Sequence, residues 1–238
     1  MLSRKPESTP SEVLNQELRE LINVVRTADF ANTDITGVIE RLRDLRAELQ
    51  PCVVEGVRMQ SSLVYRGLSA DSANVGAALT HGPPRVPAGS NPRDFFPYSP
   101  LVGLLNPISP PASFTAVEAE NYMDLYGEVT FPAVFNGPPG CVHGGALALL
   151  FDELLGCVGV VNGLGGFTGT LKVVYHSPTP LETPLTMRSW IEGVERRKVY
   201  CSAELHVDDR LCAEAEAIFI QSKSASERAK SASGSGAR

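Results

Sequence analysis

The stretch GPPGCVHGGALALLFDELLGCVGVVNG, residues 137–163, constrains this chain more than any other. From Gly144 onward it reads as one helix that is apolar on every side, and such a helix is stable only when other elements wrap it. A His-Gly-Gly turn opens it, and it carries two adjacent carboxylates, Asp152 and Glu153, with no Lys or Arg in the stretch. An unpaired carboxylate is expensive to bury. It either shifts its pKa or faces a site that uses it.

What surrounds the helix suggests the wrapping. A strand-like LYGEVTF precedes it and four strand candidates follow: TLKVVYHS, LTMRSWIEGV, residues 198–207 and RLCAEAEAIFI. In residues 198–207, Val199, Cys201, Ala203, Leu205 and Val207 alternate onto one face. Asp208-Asp209 then reads as a hairpin turn into the last run. One buried helix with successive antiparallel strands is an α+β pattern rather than an alternating βαβ one.

This unit is expected to span residues 113–221, with three further zones around it. Residues 1–50 read as a helical extension. Thr9-Pro10-Ser11-Glu12 has capping-box spacing, and Leu14, Leu18, Leu21, Ile22 and Val25 follow at helical intervals. A second helix is expected to start at Thr33 or Asp34, to carry Ile35, Val38, Ile39, Leu42, Leu45 and Leu49, and to stop at Pro51. These stripes are read as packing faces. Residues 51–112 form a Pro- and Gly-rich connector without a sustained period, of the kind that wraps a domain, covers a site or moves. The Ser/Ala/Gly-rich tail, residues 222–238, lacks apolar anchors and is expected to be disordered.

Composition narrows the function classes. With 238 residues, 43% hydrophobic, there is enough apolar material for a real core. A net charge of -6 argues against a general nucleic-acid binder. Five cysteines without a CxxC pair argue against a disulfide framework. The start has no apolar segment behind its basic residues, so no signal peptide is expected. The most apolar window, residues 146–161, reads as too short for a membrane span. The expected setting is the cytoplasm, with reduced thiols.

Helix arithmetic sharpens the question of the carboxylates. His143 and Asp152 are nine residues apart. At about 100° per residue that places them on opposite sides of one helix. If both serve one site, the turn of one subunit must meet the helix flank of another, which points to a symmetric dimer. Amides at the Gly144-Gly145 turn lack intrahelical partners and could polarise a carbonyl, as an oxyanion hole does. The alternative, that the glycines only permit close packing and His143 caps the helix, remains open on spacing alone. Arg196-Arg197-Lys198 is either a solvated hairpin tip or a phosphate contact. No Walker loop or nucleophile elbow lies in the folded region, and His81, His143, His176 and His206 lack metal-ligand spacing.

The blocks GPPGCVHGGALALLFDELLG, TGTLKVVYHSPTPL, ERRKVY and AEAEAIFI, in this order, resemble the hotdog-fold acyl-CoA thioesterases. The nearest branch is the PaaI-like one, in the group of the carboxyl-terminal modulator protein. The resemblance covers about residues 98–220 and leaves the helical extension and tail outside it. It implies a long helix wrapped by an antiparallel sheet, paired into a homodimer or a dimer of dimers, and hydrolysis of an acyl-CoA to a free acid and coenzyme A. It implies Asp152 as general base or nucleophile, Gly144 as amide donor to the thioester carbonyl, and His143 holding the substrate and that turn. Thr168 matches the family's hydroxyl that positions water or the carboxylate. Gly145, Arg196, Arg197 and Lys198 join as substrate-binding residues, the basic three toward the phosphates of coenzyme A. Many members carry Asn six residues before the His; here that position is Gly137, and Asn136 lies one further back. No cofactor or metal is implied, and no role transfers to Glu153. The competing reading is a non-catalytic protein that binds acyl-CoA or a protein partner on the same scaffold.

Overall fold

The computed structural model describes residues 8–56, 60–61 and 88–222. The tail from residue 223 onward, expected to be disordered, lies outside the described residues, as does much of the connector. Nine main elements are described: α1 (Pro10–Thr27), α2 (Thr36–Leu49), β1 (Ser113–Glu118), β2 (Met123–Val129), α3 (Gly144–Val161), β3 (Phe167–Tyr175), β4 (Leu185–Glu195), β5 (Lys198–Val207) and β6 (Arg210–Ile220). The strands form one antiparallel sheet in the order β1-β2-β4-β5-β6-β3. The sheet wraps α3, the hotdog arrangement that the sequence resemblance implied.

β4 and β5 bury alternate side chains toward the helix, while the edge strand β3 has no fully buried residue. In β5 the inward set is Val199, Cys201, Ala203, Leu205 and Val207, as their spacing predicted. They meet Leu147, Leu150, Phe151, Leu154, Leu155 and Val158 of α3. Fully burying one such side chain stabilises the fold by about 1.5–3 kcal/mol. By length and composition α3 could cross a membrane, contrary to the expectation from its apolar window, but half of it is buried inside the fold. It is a core helix.

β1 escaped the sequence reading. Only Phe114 and Ala116 of its six residues are buried, so the edge strand carries too little alternation to signal itself. Residues 89–90 continue the pairing on its outer side, where Gly89 N–H donates to Ala116 O and Ala116 N–H to Ser90 O. The described part of the connector holds only short 3-10 turns, Gln50–Cys52 and Pro92–Asp94, but is anchored: Phe96, Leu101, Val102 and Ala112 are buried in the common core.

The N-terminal helices behave differently. Thr9 and Glu12 form the expected capping box at α1. α1 docks through Glu12, Asn15, Leu18, Arg19, Ile22 and Asn23, while Leu14, Leu21 and Val25 stay exposed. The docked stripe is therefore rotated toward polar positions from the apolar one read in the sequence. Arg19 explains the rotation: its guanidinium donates to the carbonyls of Leu104 and Asn106, tying α1 to the connector. α2 begins later than expected, at Thr36, because Asp34 accepts from the Thr36 N–H in a turn of its own. None of its residues is buried.

Candidate active site

The N-terminus and the middle of α3 carry two separate clusters. At the N-terminal end, His143 caps the helix: its Nδ1 accepts from Gly145 N–H at 2.9 Å, so the neutral ring carries its proton on Nε2. The His143 carbonyl accepts from Ala146 and Leu147. Of the first-turn amides, Gly144 N–H alone has no acceptor among the described residues. It is thus available to a ligand oxygen at the positive end of the helix dipole.

The loop before this turn is tightly built. Asn136 donates its amide hydrogens to Pro138 O at 2.9 Å and Cys141 O at 3.3 Å. His143 N–H donates to Phe135 O at 2.8 Å. A Cβ at Gly137 would stand 2.7 Å from His143 Cα, so only glycine lets the two backbones come this close. An asparagine at position 137 would therefore displace His143, and the carboxamide of Asn136 stands one residue upstream. Tyr175, at the end of β3, donates its hydroxyl to Gly144 O at 2.8 Å.

At the other cluster, Thr168 at the start of β3 donates its hydroxyl to Asp152 Oδ1 at 2.9 Å. β3 reaches this position because Gly166 lacks a Cβ, which would lie 2.8 Å from the Ile220 backbone. The basic hairpin stands at the same end of the sheet: Phe167 pairs with Ile220, and Ile220 pairs with Lys198. Two strand spacings separate β3 from β5 there, about 10 Å. Arg197 donates to Gln221 O at 3.2 Å, while Arg196 and Lys198 are exposed. Arg196 adopts φ +55° in the two-residue turn.

Glu153 faces away from this cluster, against the connector. Burial pushes its carboxyl above the ordinary value of 4.5. The Ser99 hydroxyl acts in the opposite direction, and the neighbouring Asp152 charge adds to the rise. The thiols of Cys157 and Cys201 are pushed up by burial as well, Cys201 to about 12, so neither is a ready nucleophile. All five cysteines are free. Among the described residues, no group of three His, Cys, Asp or Glu could hold a metal ion.

The structure therefore brings Asn136, His143, Gly144 and Gly145 together, and Asp152 together with Thr168 near Arg196, Arg197 and Lys198. It does not join the two groups within one chain: nine residues of helix separate His143 from Asp152, about 13 Å along the axis. Sequence reasoning missed Tyr175. Its signal was present, since it sits seven residues after Thr168 in a run already read as a strand.

Comparison with known proteins fits this architecture. Residues 139–214 match the family model described as Thioesterase superfamily. Over 87 residues the chain is 39% identical to acyl-coenzyme A thioesterase THEM4 of Xenopus laevis, covering 36% of this chain and 39% of that protein. It is 31% identical over 87 residues to acyl-coenzyme A thioesterase THEM5 of Homo sapiens, covering 36% and 35%. The matched segment thus spans less than two-fifths of these relatives' length. A crystal structure of a thioesterase superfamily protein superposes with a TM-score of 0.70 at 23% identity, covering 92% of this chain and 95% of that one. Residues 139–214 thus match the thioesterase superfamily model, and the chain has the hotdog fold of that crystal structure.

Proposed function

We propose that the protein is an acyl-CoA thioesterase of the PaaI-like branch, acting on fatty acyl-CoA in the cytoplasm as a homodimer with two shared sites. The observation that carries this reading is the placement of both clusters on one exposed edge strand. Among the described residues nothing pairs with β3 on its outer side, and it carries Thr168 and Asp152 at one end and Tyr175 and Gly144 at the other. An open edge of nine residues invites pairing with another strand. Antiparallel pairing about a two-fold near the middle of β3 would bring Thr168 close to Tyr175 of the partner subunit. Each Asp152 would then face a Gly144 turn of the partner, which reconciles the opposite-face geometry of α3.

In such a site the thioester carbonyl accepts from Gly144 N–H, and His143 Nε2–H points toward the substrate. Thr168 holds Asp152 Oδ1, leaving Oδ2 to act. Oδ2 either takes a proton from attacking water or attacks the carbonyl carbon itself. In both routes the carbon–sulfur bond breaks and coenzyme A leaves as thiolate. The nucleophilic route leaves an Asp152–acyl mixed anhydride, which water must hydrolyse; in single turnover in ¹⁸O-water, a protein oxygen in the first acid formed marks that route with water attacking the Asp152 carboxyl carbon. Arg196 and Lys198, exposed at the same sheet end, suit the phosphates of coenzyme A. The relatives' names support this substrate class. The five free thiols suit a reducing compartment. The testing experiment is thiol release from a panel of saturated acyl-CoAs by the purified chain and by Asp152→Asn. Release by the wild type that vanishes in the variant supports the reading; no release from any acyl-CoA contradicts it. The exposed stripe of α2 favours a second reading, in which the same scaffold docks a partner protein without catalysis.

A further inference from the structure

We propose that Arg26, on the last turn of α1, is a positioning residue for the Gly144 half of the site. The inference rests on the thioesterase reading and adds to it a contribution from outside the matched family segment.

A chain of contacts leads from α1 to the turn. α1 packs against the short helical turn Ala133–Phe135. It is held in register two turns earlier on the same face by Arg19, which donates to the Leu104 and Asn106 carbonyls. This places Arg26 so that its Nη2 donates to Asn136 Oδ1 at 3.4 Å. The Asn136 amide hydrogens are already committed to Pro138 O and Cys141 O, so Oδ1 is the remaining polar atom of that side chain. The cation therefore fixes which way the carboxamide points. The carboxamide in turn gathers the GPPGC loop that launches His143 and the free Gly144 amide. Gly137 packs directly on the His143 backbone, so a shift of this loop is passed to the turn without slack. An oxyanion donor displaced by a fraction of an ångström loses much of its effect on the transition state. Arg26 acts on the Gly144 amide only through Asn136, and its role is positioning rather than chemistry.

The test uses the full-length chain and steady-state hydrolysis of octanoyl- and palmitoyl-CoA, with amide hydrogen exchange across residues 137–144 as an activity-independent arm. Arg26→Ala should lower kcat about 3–10-fold with KM within twofold, the pattern of a lost transition-state interaction. Arg26→Lys should recover part of the rate. Adding Arg26→Ala to Asn136→Ala should lower kcat little further, because both act on one contact. Exchange across 137–144 should quicken in Arg26→Ala, and the exposed α2 control Arg43→Ala should change nothing. Unchanged kcat, a rise in KM alone, fully additive losses or unchanged exchange would each overturn the proposal. A wild type that releases no thiol would instead sink the thioesterase reading, and the exchange arm would still decide whether Arg26 holds the loop.

Discussion

α3 and α2 are both helices with apolar side chains, and they end in opposite places. α3 is apolar all round and lies inside the sheet, with Phe151, Leu150, Leu154 and Leu155 fully buried. α2 is apolar on one stripe only, and Val38, Ile39, Leu42, Leu45 and Leu49 all remain exposed. The difference shows that a hydrophobic stripe specifies burial only where other elements are shaped to receive it. The sheet supplies that for α3 by alternating small and large inward residues, such as Ala203 and Leu205 on β5. No described element does so for α2. α1 lies between these extremes, docked by two polar anchors, Arg19 and Arg26, more than by its apolar stripe. The carboxylates repeat the contrast on a smaller scale: Asp152 turns to a hydroxyl on the edge strand, Glu153 to the connector.

The largest expected effect separates these two carboxylates. Asp152→Asn is nearly isosteric and removes the base or nucleophile, so kcat should fall by at least about a thousandfold while KM and the fold change little. Activity within a few-fold of wild type would remove Asp152 from its assigned role. Next in size is the contrast between the helices. Phe151→Ala should cost about 3–5 kcal/mol in denaturant unfolding, as large core truncations do. Leu42→Ala on α2 should stay within about 0.5 kcal/mol, as for exposed sites. A large loss at Leu42 would mean that its stripe is covered in solution.

The smallest effect concerns Glu153 and pH. Its folded pKa lies above 4.5, so its ionisation opposes folding. The stability of the neutral form is complete below that ordinary value and is lost as pH rises through the folded pKa. Glu153→Gln keeps the shape without the charge. It should melt with the wild type near pH 4 and above it at pH 8. A Tm difference that does not grow with pH would show that Glu153 is not strained by ionisation.

Much of this was legible in the residues. β5 and β6 have their expected bounds because period-two alternation runs through each on either side of Asp208-Asp209, broken in β6 only where Cys212 and Ala213 are both buried. The opposite-face relation of His143 and Asp152 follows from helix geometry alone. What was hidden depended on tertiary contacts. β1 has too few buried residues to show a pattern. The docking face of α1 is set by Arg19 reaching carbonyls far along the chain. Glu153 found its neighbour, Ser99, in a stretch without any periodicity. Such pairings have no local signature.

The central claim is that each site is assembled from two copies of the chain. It is tested most directly by mixing two inactive proteins, Asp152→Asn and His143→Ala, under conditions where native mass spectrometry shows subunit exchange. Each mixed dimer would hold one fully intact site and one doubly damaged one. The account predicts that activity returns, to about a quarter of the wild-type level at equal mixing. If mixed dimers form and thiol release stays at the level of the parents, the halves of the site do not meet across the two-fold, and the shared-site account is wrong.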